Sequence, residues 1–262
     1  MIFAAGLGTR LRPFTDSMPK ALLPLNGHTL LEWQIQKLKN AGITDIVVNV
    51  HHFADKIIEY LQENHNFGCN ILISDERDRL LDTGGGLLKA KQLLLDGDNN
   101  SPILACNVDI LSNINIARLC EAHRSDSLAT LVVSERKTQR YLLFNSENRM
   151  IGWTNIATGE MRPASLAEDI SKMHNLADSD LQKLAFSGMQ ILSQDIFEHA
   201  DTVLKEKGDK FSLIDLYLSV CRSHIVRAYV PTNYCMLDVG KTDQLAQAEL
   251  FVRALSSAGL RG

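Results

Sequence analysis

The chain has 262 residues, 45% hydrophobic and 22% charged, the balance of a soluble globular protein able to bury a core of its own. Lys and Arg number 27 against 31 Asp and Glu, a formal net charge of −4, which excludes the broad basic footprint of a nucleic-acid or anionic-membrane binder. Five dispersed cysteines, Cys69, Cys106, Cys120, Cys221 and Cys235, lack C-x-x-C spacing, which argues against a disulfide framework or structural zinc. Cys106 and Cys235 sit in apolar runs and read as small buried hydrophobes. No apolar run approaches the roughly 20 residues of a membrane span, and no basic segment precedes the apolar start, so a cytoplasmic protein is expected.

Ile2 to Ala5 reads as a strand that stops at Gly6. From His28 to Ala41 the apolar positions Leu31, Ile35, Leu38 and Ala41 recur at helical spacing, and Gly42 caps the run. Ile46–Val50 is a β-branched strand, Phe53 to Glu63 a helix with Ile57, Ile58 and Leu61 on one face, and Ile71–Ile73 a third strand. A helix from Leu87 to Leu95 and a strand at Ile103–Cys106 continue the βα rhythm of a largely parallel sheet, whose strands bury both faces and so are apolar throughout. Beyond Asp109 the pattern loosens: a helix over Ile114 to Arg124, strands at Ala129–Ser134, Tyr141–Phe144 and Met150–Trp153, and a polar stretch from Asn155 to Lys183 expected to lie over a binding face. A strand resumes at Phe186, and Thr242 to Leu255 is a helix burying Leu245, Ala248, Val252 and Leu255. The expectation is one domain of α/β class, a Rossmann-like mixed but mostly parallel sheet with helices on both faces and a small lobe over about 128–186.

The loop Gly6-Leu7-Gly8-Thr9-Arg10-Leu11-Arg12-Pro13-Phe14-Thr15, followed by Pro19-Lys20, combines glycines that let backbone N–H groups approach an anion with three nearby cations. Leu11 stands where a dinucleotide fingerprint needs glycine, and the Gly-Lys-Ser/Thr of a P-loop is missing. Lys20 lies among polar and glycine residues, so its stem has little core to pack against. Gly84 to Gly86 are expected to lead into the helix near Leu87, either as a plain turn or as backbone that approaches a base or phosphate. Asp109 and Asp238 each end an apolar run; singly each reads as a helix cap or a ligand, and together they supply hard oxygens for Mg²⁺. His51-His52 has no partner at ligand spacing, and Ser212 reads equally as a cap or a contact to a sugar phosphate.

The run Gly6-x-Gly8-Thr9-Arg10-x-x-Pro13-x-Thr15 with Pro19-Lys20 resembles the signature of sugar-1-phosphate nucleotidyltransferases. Asp82-Thr83-Gly84-Gly85-Gly86, Asn107-Val108-Asp109, Phe186-Ser187-Gly188 and Leu237-Asp238-Val239-Gly240 resemble further motifs of that family, in order along most of the chain. The resemblance implies transfer of a nucleoside monophosphate from a nucleoside triphosphate to a sugar 1-phosphate, with release of pyrophosphate. It implies that Arg10 and Lys20 act on the phosphates and that Ala5, Gly6, Gly8, Thr9, Thr83, Gly84, Gly85 and Asn107 bind nucleotide. It further implies Mg²⁺ at Asp109 and Asp238 and sugar contacts at Ser187, Gly188 and Asn155. The Glu-Lys-Pro sugar motif of longer members is absent near Trp153 and Asn155, and no β-helix follows the last helix, so acetyltransferase activity is not expected. Short members of the family use UTP with N-acetylmuramate 1-phosphate, which this chain resembles slightly more, or GTP with mannose or heptose 1-phosphate. A metal-dependent glycosyltransferase and an inactive nucleotide-sugar sensor are the rival readings. No nucleic-acid or membrane partner is expected, and the chain is expected to be a monomer or homodimer.

Overall fold

The computed structural model describes residues 1–95, 100–166 and 181–257, so part of the polar stretch 155–183 lies outside the described residues. From the N-terminus, β1 (Ile2–Phe3) leads into a loop of three short 3-10 turns (Thr9–Leu11, Phe14–Asp16, Lys20–Leu22) and a small hairpin, β2 (Pro24–Leu25) and β3 (His28–Thr29). Then α1 (Leu30–Asn40), β4 (Asp45–Val50), α2 (Ala54–Glu63) and β5 (Asn70–Asp75) alternate. Next come α3 (Asp82–Lys89), α4 (Lys91–Leu95), β6 (Ile103–Asn107), β7 (Ile110–Ser112), α5 (Ile116–Ala122) and β8 (Ser127–Ser134). β9 (Arg140–Phe144), β10 (Met150–Asn155) and β11 (Glu160–Arg162) form an antiparallel meander, and β12 (Gln182–Leu192) follows. α6 (Ile196–Lys207), α7 (Leu213–Val220), β13 (Ile225–Tyr229), β14 (Met236–Asp238) and α8 (Leu245–Ser257) complete the described chain.

β1 is central, paired in parallel with β4 and β6, and β5 extends the parallel set beyond β4. β12 pairs antiparallel with β6 on one side and β8 on the other, and β13 joins β8 in parallel. This is the expected α/β class: among β5, β4, β1, β6, β12, β8 and β13, β12 alone runs against the rest. Alternation along the strands sends side chains into two cores. Ile2, Val48, Leu104, Cys106 and Val132 join the cluster under α1, α2, α5 and α8, while Phe3, Val47, Ala105, Leu131 and Val133 join the one under α3, α6 and α7. Burial on both faces is why these strands read as unbroken apolar runs.

Local chemistry fixes the element ends. The Asn26-Gly27 turn, both residues at positive φ, closes the β2–β3 hairpin. Thr29 then caps α1 by accepting from the Glu32 amide at 3.1 Å. At the other end Gly42 adopts φ +82, with Ile43 N donating to Leu38 O and Gly42 N to Lys39 O, both at 2.9 Å, a Schellman closure. None of the described helices is long and apolar enough to cross a membrane.

Three expectations are corrected. The helix expected from Leu87 starts at Asp82, so Gly84, Gly85 and Gly86 are its buried body and not a loop before it. His28 belongs to a strand, and α1 starts at Leu30. Cys235 is exposed where the chain approaches β14, whereas Cys106 is buried in β6; all five cysteines are free thiols.

Candidate active site

The loop after β1 folds back on itself around Gly8. Gly8 sits at φ +63, and a Cβ there would lie 2.9 Å from Thr15 Cγ2 and 3.1 Å from Lys20 Cβ, so only glycine fits both the turn and the packing. Thr15 Oγ1 donates to Gly8 O at 2.9 Å, as does Leu11 N at 2.8 Å, and Leu11 anchors the loop in the core. The N–H groups of Leu7, Gly8 and Thr9 find no acceptor among the described residues. The three residues line a cleft of about 470 Å³ together with Ala5, Gly6, Arg10, Lys20, Asn49, Glu76, Thr83, Asn107 and Asp109. The carboxyl ends of β1, β4 and β6 surround that cleft, the usual ligand position of an open α/β sheet.

Lys20 is buried, at 7% exposure, because the folded-back loop packs its stem beside Gly8. Its ammonium forms an ion pair with Asp109 Oδ2. Asn115, and not Asp109, caps α5 by accepting from Arg118 N, which leaves the Asp109 carboxylate for the cleft. β14 pairs antiparallel with β7, setting Asp238 opposite Ile110, next to Asp109. Asp238 Oδ1 is buried without a hydrogen-bond partner among the described residues. Burial, followed by the charge of Asp109, pushes the Asp238 carboxyl above its ordinary range, against the pull of Lys20, Arg10 and Arg136. Two adjacent carboxylates, one with a bare buried oxygen, form a hard-oxygen donor set, and among the described residues no third His, Cys, Asp or Glu joins them. That set suits a divalent cation that takes the rest of its shell from phosphate and water.

A second cleft of about 750 Å³ adjoins the first and shares Arg10 and Asp82 with it. Its walls include Asp238, Arg136, Arg140, Tyr141, Trp153, Asn155, Arg162 and Ser212. The Arg162 guanidinium lies 4.7 Å from the Trp153 ring centroid and 3.3 Å from Asp215. Ser212 caps α7 in a reciprocal box with Asp215, so its hydroxyl is engaged by the helix.

The structure therefore gathers Ala5, Gly6, Gly8, Thr9, Arg10, Lys20, Thr83, Asn107 and Asp109 round one cleft and Arg10, Asn155 and Asp238 round the other. Four expected residues stand apart from both linings. Gly84 N and Gly85 N donate to Phe211 O at 2.9 and 3.1 Å, and a Cβ on Gly85 would lie 2.0 Å from Asp209 O, so these glycines admit a neighbouring backbone. Ser187 is buried, and Gly188, at φ +71, packs against Asn107 and Ile110. Thr83 Oγ1 accepts from Leu213 N at 3.0 Å and ties α3 to α7. His51 Nδ1 donates to Glu76 O at 2.7 Å, and the His52 ring packs tilted on Phe53; neither lines either cleft. Sequence reasoning missed Asn49 and Glu76 in the first cleft. Asn49 Oδ1 accepts from Ala4 N at 2.7 Å and its Nδ2 donates to Glu76 Oε1 at 2.7 Å. An asparagine inside the apolar run Ile46–Val50 was the available signal, since a buried polar side chain needs such partners.

A family model described as nucleotidyl transferase matches residues 1–254. The N-acetylmuramate alpha-1-phosphate uridylyltransferase of Caulobacter vibrioides is 42% identical over 111 residues, which are 42% of this chain and 44% of that protein. A rice (Oryza sativa subsp. japonica) mannose-1-phosphate guanylyltransferase is 32% identical over 137 residues, 52% of this chain and 37% of that protein. The chain thus spans less than half the length of these relatives. The structure of HddC from Yersinia pseudotuberculosis complexed with GMP-PN shares the fold, with a TM-score of 0.69 at 20% identity, covering 96% of this chain and 97% of that one.

Proposed function

The chain belongs to the nucleotidyl transferase family, and from that premise we propose that it moves a nucleoside monophosphate from a nucleoside triphosphate onto a sugar 1-phosphate. The observation that carries this reading is the meeting of the two clefts: Arg10 lines both, with Asp109 on one side and Asp238 on the other. An oxygen of the sugar phosphate attacks the α-phosphorus, the bond to the bridging oxygen of the β-phosphate breaks, and pyrophosphate leaves with that electron pair. The attacking oxygen is already ionised, so no protein base is required, and the chain contributes position and charge. The free amides of the glycine loop and Arg10 hold the leaving phosphates. Lys20, buried and fixed beside Asp109, adds a cation to the cleft lining. Asp109 and Asp238 would hold Mg²⁺, which when bound would supply charge neutralisation to the phosphates. Tyr141 and Asn155, beside Arg162 over the buried Trp153 ring, line the cleft that would receive the sugar.

For the base and sugar we favour UTP and N-acetylmuramate 1-phosphate, in line with the uridylyltransferase relative. GTP with mannose 1-phosphate is the alternative, in line with the guanylyltransferase relative. A cytoplasmic setting follows from a nucleoside triphosphate substrate. The test is pyrophosphate release across a matrix of triphosphates and sugar 1-phosphates, with Mg²⁺ and with excess chelator. Release from the uridine pair that stops in chelator supports the reading. Turnover of a nucleotide sugar without pyrophosphate release would instead favour a glycosyltransferase.

A further inference from the structure

β7 is three residues long and, among the described residues, pairs with a strand on one edge, β14. A two-stranded ribbon of that size has little stability of its own in water, yet it carries the site, since Asp109 immediately precedes it and Asp238 pairs with Ile110. Asn113 N donates to Cys235 O and Val239 N to Asp109 O, so the odd-numbered residues bond to β14 and the carbonyls of Ile110 and Ser112 point away from it. Both of those carbonyls are met by α1. Gln34 Nε2 donates to Ile110 O at 2.6 Å, and Lys37 Nζ donates to Ser112 O at 2.8 Å and Ser112 Oγ at 2.7 Å. Gln34 and Lys37 are one helical turn apart on a single face, and both are buried.

Packing α1 against the sheet would need only an apolar side chain at position 37. An ammonium buried there meets no carboxylate among the described residues, and burying such a group is unfavourable unless its hydrogen bonds matter. We infer that Gln34 and Lys37 are positioning residues, which grip the outer edge of β7 and thereby fix the spacing of Asp109 and Asp238. The inference rests on the reading of those two carboxylates given under Proposed function.

The test uses the full chain with Lys37→Met and Gln34→Leu, which keep length and remove the donors. Three readouts are compared with wild type: steady-state kinetics with the wild type's own substrate pair, melting in chelator, and hydrogen exchange across 109–113 and 235–239. We expect kcat to fall about tenfold or more, KM for the sugar 1-phosphate to stay within about threefold, and the melting temperature to stay within about 3 °C. Exchange at Val239 N–H, which donates to Asp109 O at 2.9 Å, should speed up. A folded variant with kcat within about twofold of wild type, or with unchanged exchange in both segments, assigns the pair to packing alone. Should Lys37→Met not fold, Gln34→Leu and Ser112→Ala decide the question on the same readouts. If wild type releases no pyrophosphate with any pair, the proposed reaction fails, while the exchange result still decides the positioning role.

Discussion

Asp109 and Asp238 carry the same group in opposite electrostatic settings, and their amide variants separate stability from catalysis. Asp109→Asn removes the ion-pair partner of the buried Lys20 ammonium. Because the Asp109 side chain is 23% exposed, the loss should fall below the 3–5 kcal/mol of a fully buried pair, at about 1–3 kcal/mol. Asp238→Asn removes a carboxylate that burial and its neighbour already disfavour, so its melting temperature in chelator should equal or exceed wild type. Both variants should lose about a hundredfold or more in kcat, the scale of a lost metal-neutralising charge. Matching melting shifts with the same sign would contradict this assignment of Lys20. Lys20→Met should lower both activity and melting temperature, because it leaves two carboxylates side by side. From sequence Lys20 is expected to act as a cation for phosphates, but its burial is not legible there, since it follows from the backbone reversal around Gly8.

At the level of elements, α1 makes a pH prediction. Burial holds Lys37 at about 8 in the folded protein against 10.5 when free. Between those values the unfolded chain binds more protons, so the contribution of Lys37 to stability rises with pH across that window and is constant below it. At 1.36 kcal/mol per pH unit the folded protein carries a penalty of about 3 kcal/mol at pH 7 that Lys37→Met lacks. The stability of the variant relative to wild type should therefore fall by up to about 3 kcal/mol between pH 7 and pH 10.5, whatever its value at pH 7. Tyr60, Tyr217 and Tyr234, all pushed up by burial, titrate in both proteins and cancel from the difference. Urea titrations across that range check it, and a flat difference would place Lys37 Nζ in water. In α3, Gly85→Ala drives a methyl into Asp209 O and should cost more than about 2 kcal/mol, measured the same way. The helix propensity of glycine is low, so a triplet of them reads as a loop. Contact with residues 209–211, remote in sequence, overrides that preference.

Across the whole molecule the βα rhythm was readable because parallel strands buried on both faces leave apolar runs that need no tertiary knowledge. The β7–β14 ribbon was not, since Ile110–Ser112 and Met236–Asp238 are too short to show a period and pair across more than a hundred residues. The second cleft escaped for a similar reason: Arg136, Arg140 and Arg162 converge only once the meander folds. Binding at the first cleft should stabilise the whole chain. The correct triphosphate with Mg²⁺ at about 100 times its Kd should add about 2.7 kcal/mol, a melting shift of about 5 °C or more. Comparing UTP with GTP in that assay identifies the base, and equal small shifts would argue against a triphosphate site. β12 sets the mechanics of such binding. Its first residues, Gln182–Leu184, belong to the ladder with β9, and its last, Met189–Leu192, to the ladder with β6. One continuous strand thus joins the sheet whose strand ends border the first cleft to the meander beside the second, and the two cannot rotate apart as hinged halves do without bending it. Gly188, where the ladder with β8 slips, is the softest point for such a bend. Under the proposed reaction, admission and release of substrates would accordingly fall to the loops at the cleft rims, with the two clefts held at a nearly fixed spacing.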